Sequence, residues 1–236
     1  MIILLLLRKL PLYLDCAAWT HKYSLLNKKT IVPLFLTILL SYPKGNSNSL
    51  LSLYKLTQLI FLIDDLFDDD LTNIDKLILE MSGDYPIDET DKVKMEFIKC
   101  FSDIKNTVFF NIKDKEMQQN WLANVNEMIV VMGLEKNHTS YDSIEEYITV
   151  SKKSVGLYMY NWTLAMEMDI DITKNEKELE KIIEHAAKFI RFSNDIRSYK
   201  RELSEGKTNS LSILMAHGSS EINAKKTGLI KLTVSA

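Results

Sequence analysis

The fold turns on the stretch Leu50-Leu-Ser-Leu53-Tyr-Lys-Leu56-Thr-Gln-Leu59-Ile60-Phe61-Leu-Ile63-Asp64-Asp65-Leu66-Phe67-Asp68-Asp69-Asp70. Leu53, Leu56, Ile60 and Ile63 recur at steps of three and four, which predicts an α-helix packed on one face. That helix runs straight into an acidic end. Asp64 and Asp68 lie one helical turn apart, as do Asp65 and Asp69, and like charges so spaced cost about 0.2–0.5 kcal/mol per pair. The C-terminal end of a helix already carries partial negative charge, so these carboxylates call for a cation. Hard oxygen donors without a neighbouring His or Cys suit Mg²⁺, which keeps several waters and is usually completed by substrate phosphates. The plain alternative is a solvated acidic helix end. Against it stands the apolar run Leu59 to Ile63, with Leu66 and Phe67, since surface helix ends are rarely so greasy.

Working outward, the 236 residues suffice for one good core, and 46% apolar with 26% charged content is ordinary for a globular chain. Only 7 Gly and 4 Pro punctuate it, which favours long helices over a sandwich or barrel of short strands. A net charge of −3 with no basic stripe excludes nucleic-acid binding as the primary role. Cys16 and Cys100 have no metal-type spacing and imply no disulfide framework, so a reducing, cytoplasmic compartment is the default. Ile2 to Leu7 is far too short to span a bilayer and is read as the start of a buried helix, with no membrane span elsewhere. Histidines 21, 138, 185 and 217 are scattered and support neither zinc nor a hydrolase triad. No Gly-rich phosphate loop occurs.

A linker-like cluster, Tyr42 to Ser49, separates two helical stretches. Met95, Ile98, Phe101, Ile104 and Val108 form one amphipathic stripe, and Met117, Trp121, Val125, Met128 and Met132 another, closed by Gly133. Asp142 with Glu145 predicts a cap opening a helix through Tyr147 to about Met166. Thr173 with Glu176 repeats the device, for a helix with Leu179, Ile182, Ile183, Ala186, Phe189, Ile190 and Ser193 on or beside one face, ending near Leu203 before Gly206. No run of alternating strand residues is found. The expectation is an all-α bundle forming a single domain over residues 1–236, with sites built from side chains projecting inward.

A second constellation stands near the end of that late helix. In Phe192-Ser-Asn194-Asp195-Ile-Arg-Ser198-Tyr-Lys-Arg201-Glu202, residues Asn194, Ser198 and Glu202 are successive steps of four. An amide oxygen, a hydroxyl and a carboxylate then share one helix face and could chelate one Mg²⁺. Asn and Ser are mediocre formers of a helix interior, so propensity does not explain them.

Taken together, the two clusters resemble the class I terpene synthases, the isoprenoid cyclases. Asp64-Asp65-Leu66-Phe67-Asp68 fits the Asp-Asp-x-x-Asp motif, and Asn194 to Glu202 fits (Asn/Asp)-Asp-x-x-(Ser/Thr)-x-x-x-Glu without a mismatch. Gly206 to Leu214, containing Asn209, looks like the stretch that follows the second motif, where the next helix begins. The resemblance covers roughly Trp19 to Lys225. It implies an isoprenoid-synthase-type helical bundle around a central apolar cavity and three Mg²⁺ ions bridging the protein to a prenyl diphosphate. Carried over, Asp64 and Asp68 hold two ions and Asn194, Ser198 and Glu202 the third, with Asp65 in support. Arg201, just before the motif's Glu, is the diphosphate contact, a role its planar fork of donors suits. Phe61, Phe67, Tyr158, Trp162, Phe189 and Phe192 are the aromatic candidates to shield a carbocation, with ordinary core packing the competing reading of each.

The implied activity is ionisation of a linear prenyl diphosphate, farnesyl or geranylgeranyl, and cyclisation or rearrangement of the cation. A second copy of the chain is the candidate protein partner. Two departures from the pattern set up alternatives. The family's helix break carries an Arg that senses diphosphate; between Tyr147 and Gly156 this chain has Ser151 there, followed by Lys152 and Lys153, which could offer point charge but no bidentate fork. The resemblance also implies further helices and an Arg-Tyr pair after the second motif, so the domain is expected to be incomplete at its C-terminus. A catalytically impaired helical protein that binds diphosphate or a partner is therefore the rival. A chain-elongating prenyltransferase is disfavoured, because a second Asp-rich motif would stand at Asn194 to Glu202.

Overall fold

The computed structural model describes residues 8–68, 90–110, 114–137, 141–167, 176–220 and 223–224. Its elements are α1 (Leu10–Lys22), a 3₁₀ turn (Lys28–Thr30), α2 (Ile31–Ser41), α3 (Ser47–Asp68), α4 (Lys92–Phe109), α5 (Lys115–Asn137), α6 (Ile144–Ser151), α7 (Leu157–Glu167), α8 (Glu176–Ser204) and α9 (Ser210–Ala216). Among the described residues there is no strand, so the all-α expectation holds. None of these helices is long and apolar enough to cross a membrane. The expectations at Ile2 to Leu7 and at Thr173 lie outside the described residues. The chain divides into two compact units: Met1–Ala123 with Met159–Ile170, and Asn124–Tyr158 with Asp171–Ala236.

In the first unit α3 packs against α1, α2 and α4. This is why its burial is wider than the single stripe predicted: Leu59, Leu62 and Leu66 are buried beside Leu53, Leu56 and Ile63, while Ile60 is only half-buried. The polar groups carried inward are paired. Tyr54 Oη and Thr20 Oγ1 lie 2.8 Å apart, and Gln58 Nε2 donates to Tyr54 Oη at 2.9 Å. Buried Lys55 donates to Thr107 Oγ1 at 2.8 Å and lies 3.3 Å from Asp103. Asp103 also accepts from Tyr23 Oη (2.8 Å), Lys22 Nζ (2.9 Å) and Trp19 Nε1 (3.2 Å). Along α4 the stripe is corrected in its first turns, where Phe97 and Cys100 are buried and Met95 and Ile98 half-buried. Gly133 does not end its helix, which continues to Asn137. A lone helical Gly costs only about 1 kcal/mol relative to Ala.

In the second unit α8 packs against α6 and α9. The cap of α6 is Ser143, not Asp142: its hydroxyl accepts from Glu146 N–H at 3.1 Å, and Glu146 Oε2 accepts from Asp142 N–H at 2.8 Å. The helix predicted through to Met166 is broken in two, since α6 stops at Ser151 and α7 starts at Leu157 after Gly156, whose φ is 69°. Tyr141, Ile144, Tyr147, Ile148, Phe192 and Ile213 form one buried cluster. The buried residues of α8 are Ile183, Ala187, Phe192, Asp195 and Tyr199, while Ile182 and Phe189, expected inward, are exposed.

Candidate functional site

The Asp-rich motif occupies the last turn of α3. Its helix is held in place by the buried Leu59, Leu62, Ile63 and Leu66, and the side chains of Asp64 and Asp65 are exposed to solvent. Apolar burial thus fixes a helix end whose acidic side faces outward. Asp68 closes the helix, but its side chain, with all of Asp69 and Asp70, lies outside the described residues.

The second motif lies on the last three turns of α8. Asn194 is exposed, while Ser198 and Glu202 are half-buried. Ser198 Oγ donates its proton to Asn194 C=O at 2.7 Å, which leaves the hydroxyl lone pairs available to a cation. Glu202 Oε2 accepts from Asn209 Nδ2 at 2.5 Å. Arg201 reaches Glu202 Oε1 and Glu205 Oε1 only at 3.8 Å, and its side chain is 68% exposed. A face offering an amide, a hydroxyl and a carboxylate, with no nitrogen or sulfur donor, fits a hard divalent cation. No three His, Cys, Asp or Glu side chains gather into a metal-sized cluster among the described residues.

Beside that face runs a buried polar network that sequence reasoning missed. Asp195, 1% exposed, accepts from Tyr147 Oη at 2.9 Å and from Ser210 N–H at 3.1 Å. Arg191 Nε donates to Tyr147 Oη at 2.7 Å and lies 3.2 Å from Asp195 Oδ1, and its Nη2 lies 3.6 Å from Glu135. Burial works against the Arg191 charge, but the Tyr147 oxygen that accepts its Nε–H, with the carboxylates of Glu135 and Asp195, outweighs burial and holds it firmly protonated. Burial likewise pushes the Tyr147 phenol well above its ordinary range, so it acts as a neutral donor. The signal was present in the text: Ile183, Ala187, Arg191, Asp195 and Tyr199 are steps of four, an ion pair set within a buried stripe.

At the helix break Ser151 is 0% exposed, and no described residue hydrogen-bonds its hydroxyl. Lys152 pairs with Glu184 at 2.8 Å, and Lys153 is in an ion pair with Glu127. Hydrogen bonds from Lys152 and Lys188 hold the Glu184 carboxyl down at about 2, against a smaller upward push from burial. Of the aromatic candidates in the first unit, Phe61 is exposed and Phe67 and Trp162 are half-buried. In the second unit Tyr158 is half-buried, Phe189 is 53% exposed and Phe192 is packed inside the Tyr147 cluster.

The chain is similar to several known proteins. The chain is 25% identical over 189 residues to a cis-abienol synthase of Nicotiana tabacum, covering 73% of this chain and 24% of that protein. It is 26% identical over 207 residues to kaurene synthase like 2 of Isodon rubescens, covering 78% and 26%. The chain therefore spans about a quarter of the length of these relatives. Both are named chloroplastic, which sits against the cytoplasmic expectation. Among solved structures, the linalool/nerolidol synthase of Streptomyces clavuligerus in complex with 2-fluorogeranyl diphosphate superposes with a TM-score of 0.75 at 12% identity, over 95% of this chain and 82% of that one. The germacradien-4-ol synthase of Streptomyces citricolor gives 0.70 at 16% identity, over 97% and 75%. Both carry the same helical fold. A family model described as terpene synthase family 2, C-terminal metal binding, matches residues 55–227, which contain both motifs, and the chain belongs to that family.

Proposed function

We propose that this chain is a magnesium-dependent class I terpene synthase, a carbon–oxygen lyase that ionises a linear prenyl diphosphate and cyclises or rearranges the cation. What carries the reading is the oxygen face of α8, where Asn194, Ser198 and Glu202 align and the Ser198 proton is turned away onto a backbone carbonyl. In this reading Asp64 and Asp68 hold two ions with Asp65 in support, and Asn194, Ser198 and Glu202 hold the third. Bound there, magnesium stabilises the negative charge that develops on the departing diphosphate. Arg201, exposed and only loosely paired, swings its guanidinium to the same oxygens. Apolar and aromatic side chains keep water from the cation, among them Phe61, Phe67, Tyr158, Trp162 and Phe189. The bundle is read as a single catalytic domain around an apolar cavity.

The test is incubation of the protein with geranyl, farnesyl and geranylgeranyl diphosphates and Mg²⁺, with mass spectrometry of volatile products. Hydrocarbons or alcohols with new skeletons are expected. Asp64→Ala and Asn194→Ala each remove that activity by two or more orders of magnitude while the circular dichroism of the helices is unchanged. Full activity in both variants refutes the site.

One observation favours a second reading, a protein that binds diphosphate without turnover. At the helix break the buried Ser151 stands where the resemblance implies an Arg, and both neighbouring lysines are already paired with glutamates. Metal-dependent binding of inorganic diphosphate with no new product from any of the three substrates supports this second reading.

A further inference from the structure

We propose that Asn209 is a positioning residue for the Glu202 carboxylate, fixing that side chain as a preformed metal ligand; the inference rests on the reading that Glu202 binds a metal ion. Asn209 is buried and stands at the head of α9, where its Oδ1 accepts from Leu211 N–H at 2.8 Å and its own N–H donates to Ser212 Oγ at 3.0 Å. Its Nδ2 donates twice, to Asp195 C=O at 3.0 Å and to Glu202 Oε2 at 2.5 Å. A helix cap needs only the oxygen, and Ser or Asp would serve as well. The amide N–H₂ is what only Asn brings among the strong cap residues, and both its protons are engaged on α8.

Asn209 cannot drift from this geometry, because the adjacent Ser210 N–H is held by the Asp195 carboxylate at 3.1 Å. Glu202 thus has one oxygen tied by a charge-assisted bond to a rigid helix junction. Oε1, which Arg201 approaches only to 3.8 Å, is the oxygen left for ligation. Without the amide, an ion would have to order a long, flexible side chain as it bound.

The experiment is a Mn²⁺ titration with inorganic diphosphate present, followed by electron paramagnetic resonance of the free ion, together with thermal melts. It compares the natural chain with Asn209→Ser, Asn209→Asp and Glu202→Gln. Both Asn209 variants keep a cap oxygen; Asn209→Ser is expected to melt close to the natural chain, and Asn209→Asp, which buries a second carboxylate beside Glu202, to melt lower. Their Mn²⁺ affinity is expected to fall about ten-fold or more, furthest in Asn209→Asp, where two carboxylates face each other. Unchanged affinity in both variants overturns the positioning role and leaves the metal reading intact. In Asn209→Ser, a loss of affinity that comes only with a matching loss of melting temperature makes Asn209 a cap and also overturns the proposal. Equal Mn²⁺ binding by the natural chain and Glu202→Gln overturns the metal reading at Glu202, and this inference with it.

Discussion

Asp195 gathers donors from three helices: the Tyr147 phenol on α6, Arg191 on its own helix, and the Ser210 N–H that opens α9. A carboxylate so enclosed is worth little as a net attraction but much as a constraint, because removing any partner strands a buried polar group. Tyr147→Phe is expected to lower stability by about 1–3 kcal/mol, measured by urea denaturation, through loss of a buried donor. Asp103→Ala in the first unit is expected to cost about 2–3 kcal/mol. That is less than the ~3–5 kcal/mol for breaking a wholly buried pair, because the Asp103 side chain is 27% exposed while Lys55 beside it is buried. The oxygen face of α8 was legible as a pattern because Asn194 and Ser198, mediocre formers of a helix interior, stand at steps of four with Glu202. Arg191 and Asp195 were passed over for the opposite reason: charged residues are read as surface unless the apolar residues around them are followed in register.

At the level of elements, the end of α8 is set by backbone chemistry. Lys207 N–H returns to Glu202 C=O at 2.9 Å around Gly206, whose φ is 70°. Nothing lies within 4 Å of where a Cβ would stand on Gly206, so Gly206→Ala tests the left-handed backbone alone. A cost of about 1 kcal/mol in unfolding free energy is expected, measured by urea denaturation. Ser143→Ala should cost a similar amount, about 1 kcal/mol, by removing the cap of α6. The long helices were legible because apolar residues repeat over several turns. Boundaries were less so: Gly133 continues its helix, and the break after Ser151 follows from local turns and the positive φ of Gly156, which apolar periodicity does not register.

For the whole molecule, both units carry a carboxylate held well below its ordinary range. Burial pushes Asp103 up, but hydrogen bonds from Lys22 and Tyr23 and the charge of Lys55 bring it down to about 2, where Glu184 also lies. A depressed carboxyl adds stability that is complete above its unfolded pKa near 4 and is lost as pH falls through the folded value. Melting temperature should therefore drop between about pH 4 and pH 2, and Asp103→Asn should flatten that drop in the first unit. The helical class could be read from the scarcity of Gly and Pro and the repeat of apolar residues, and the family from two short motifs, since the spacing of oxygen donors on a helix does not depend on how the rest of the chain is arranged. Which aromatics face a substrate could not be read, because Phe189 and Phe192 occupy the same helix and only the three-dimensional packing separates an exposed ring from a buried one. The two cysteines of the chain both belong to the first unit and are sealed inside it, where burial raises each thiol to about 12. A thiol-reactive dye added to the native protein can therefore label only molecules whose first unit has opened. Its rate of uptake is a clock for breathing of the unit that holds both thiols.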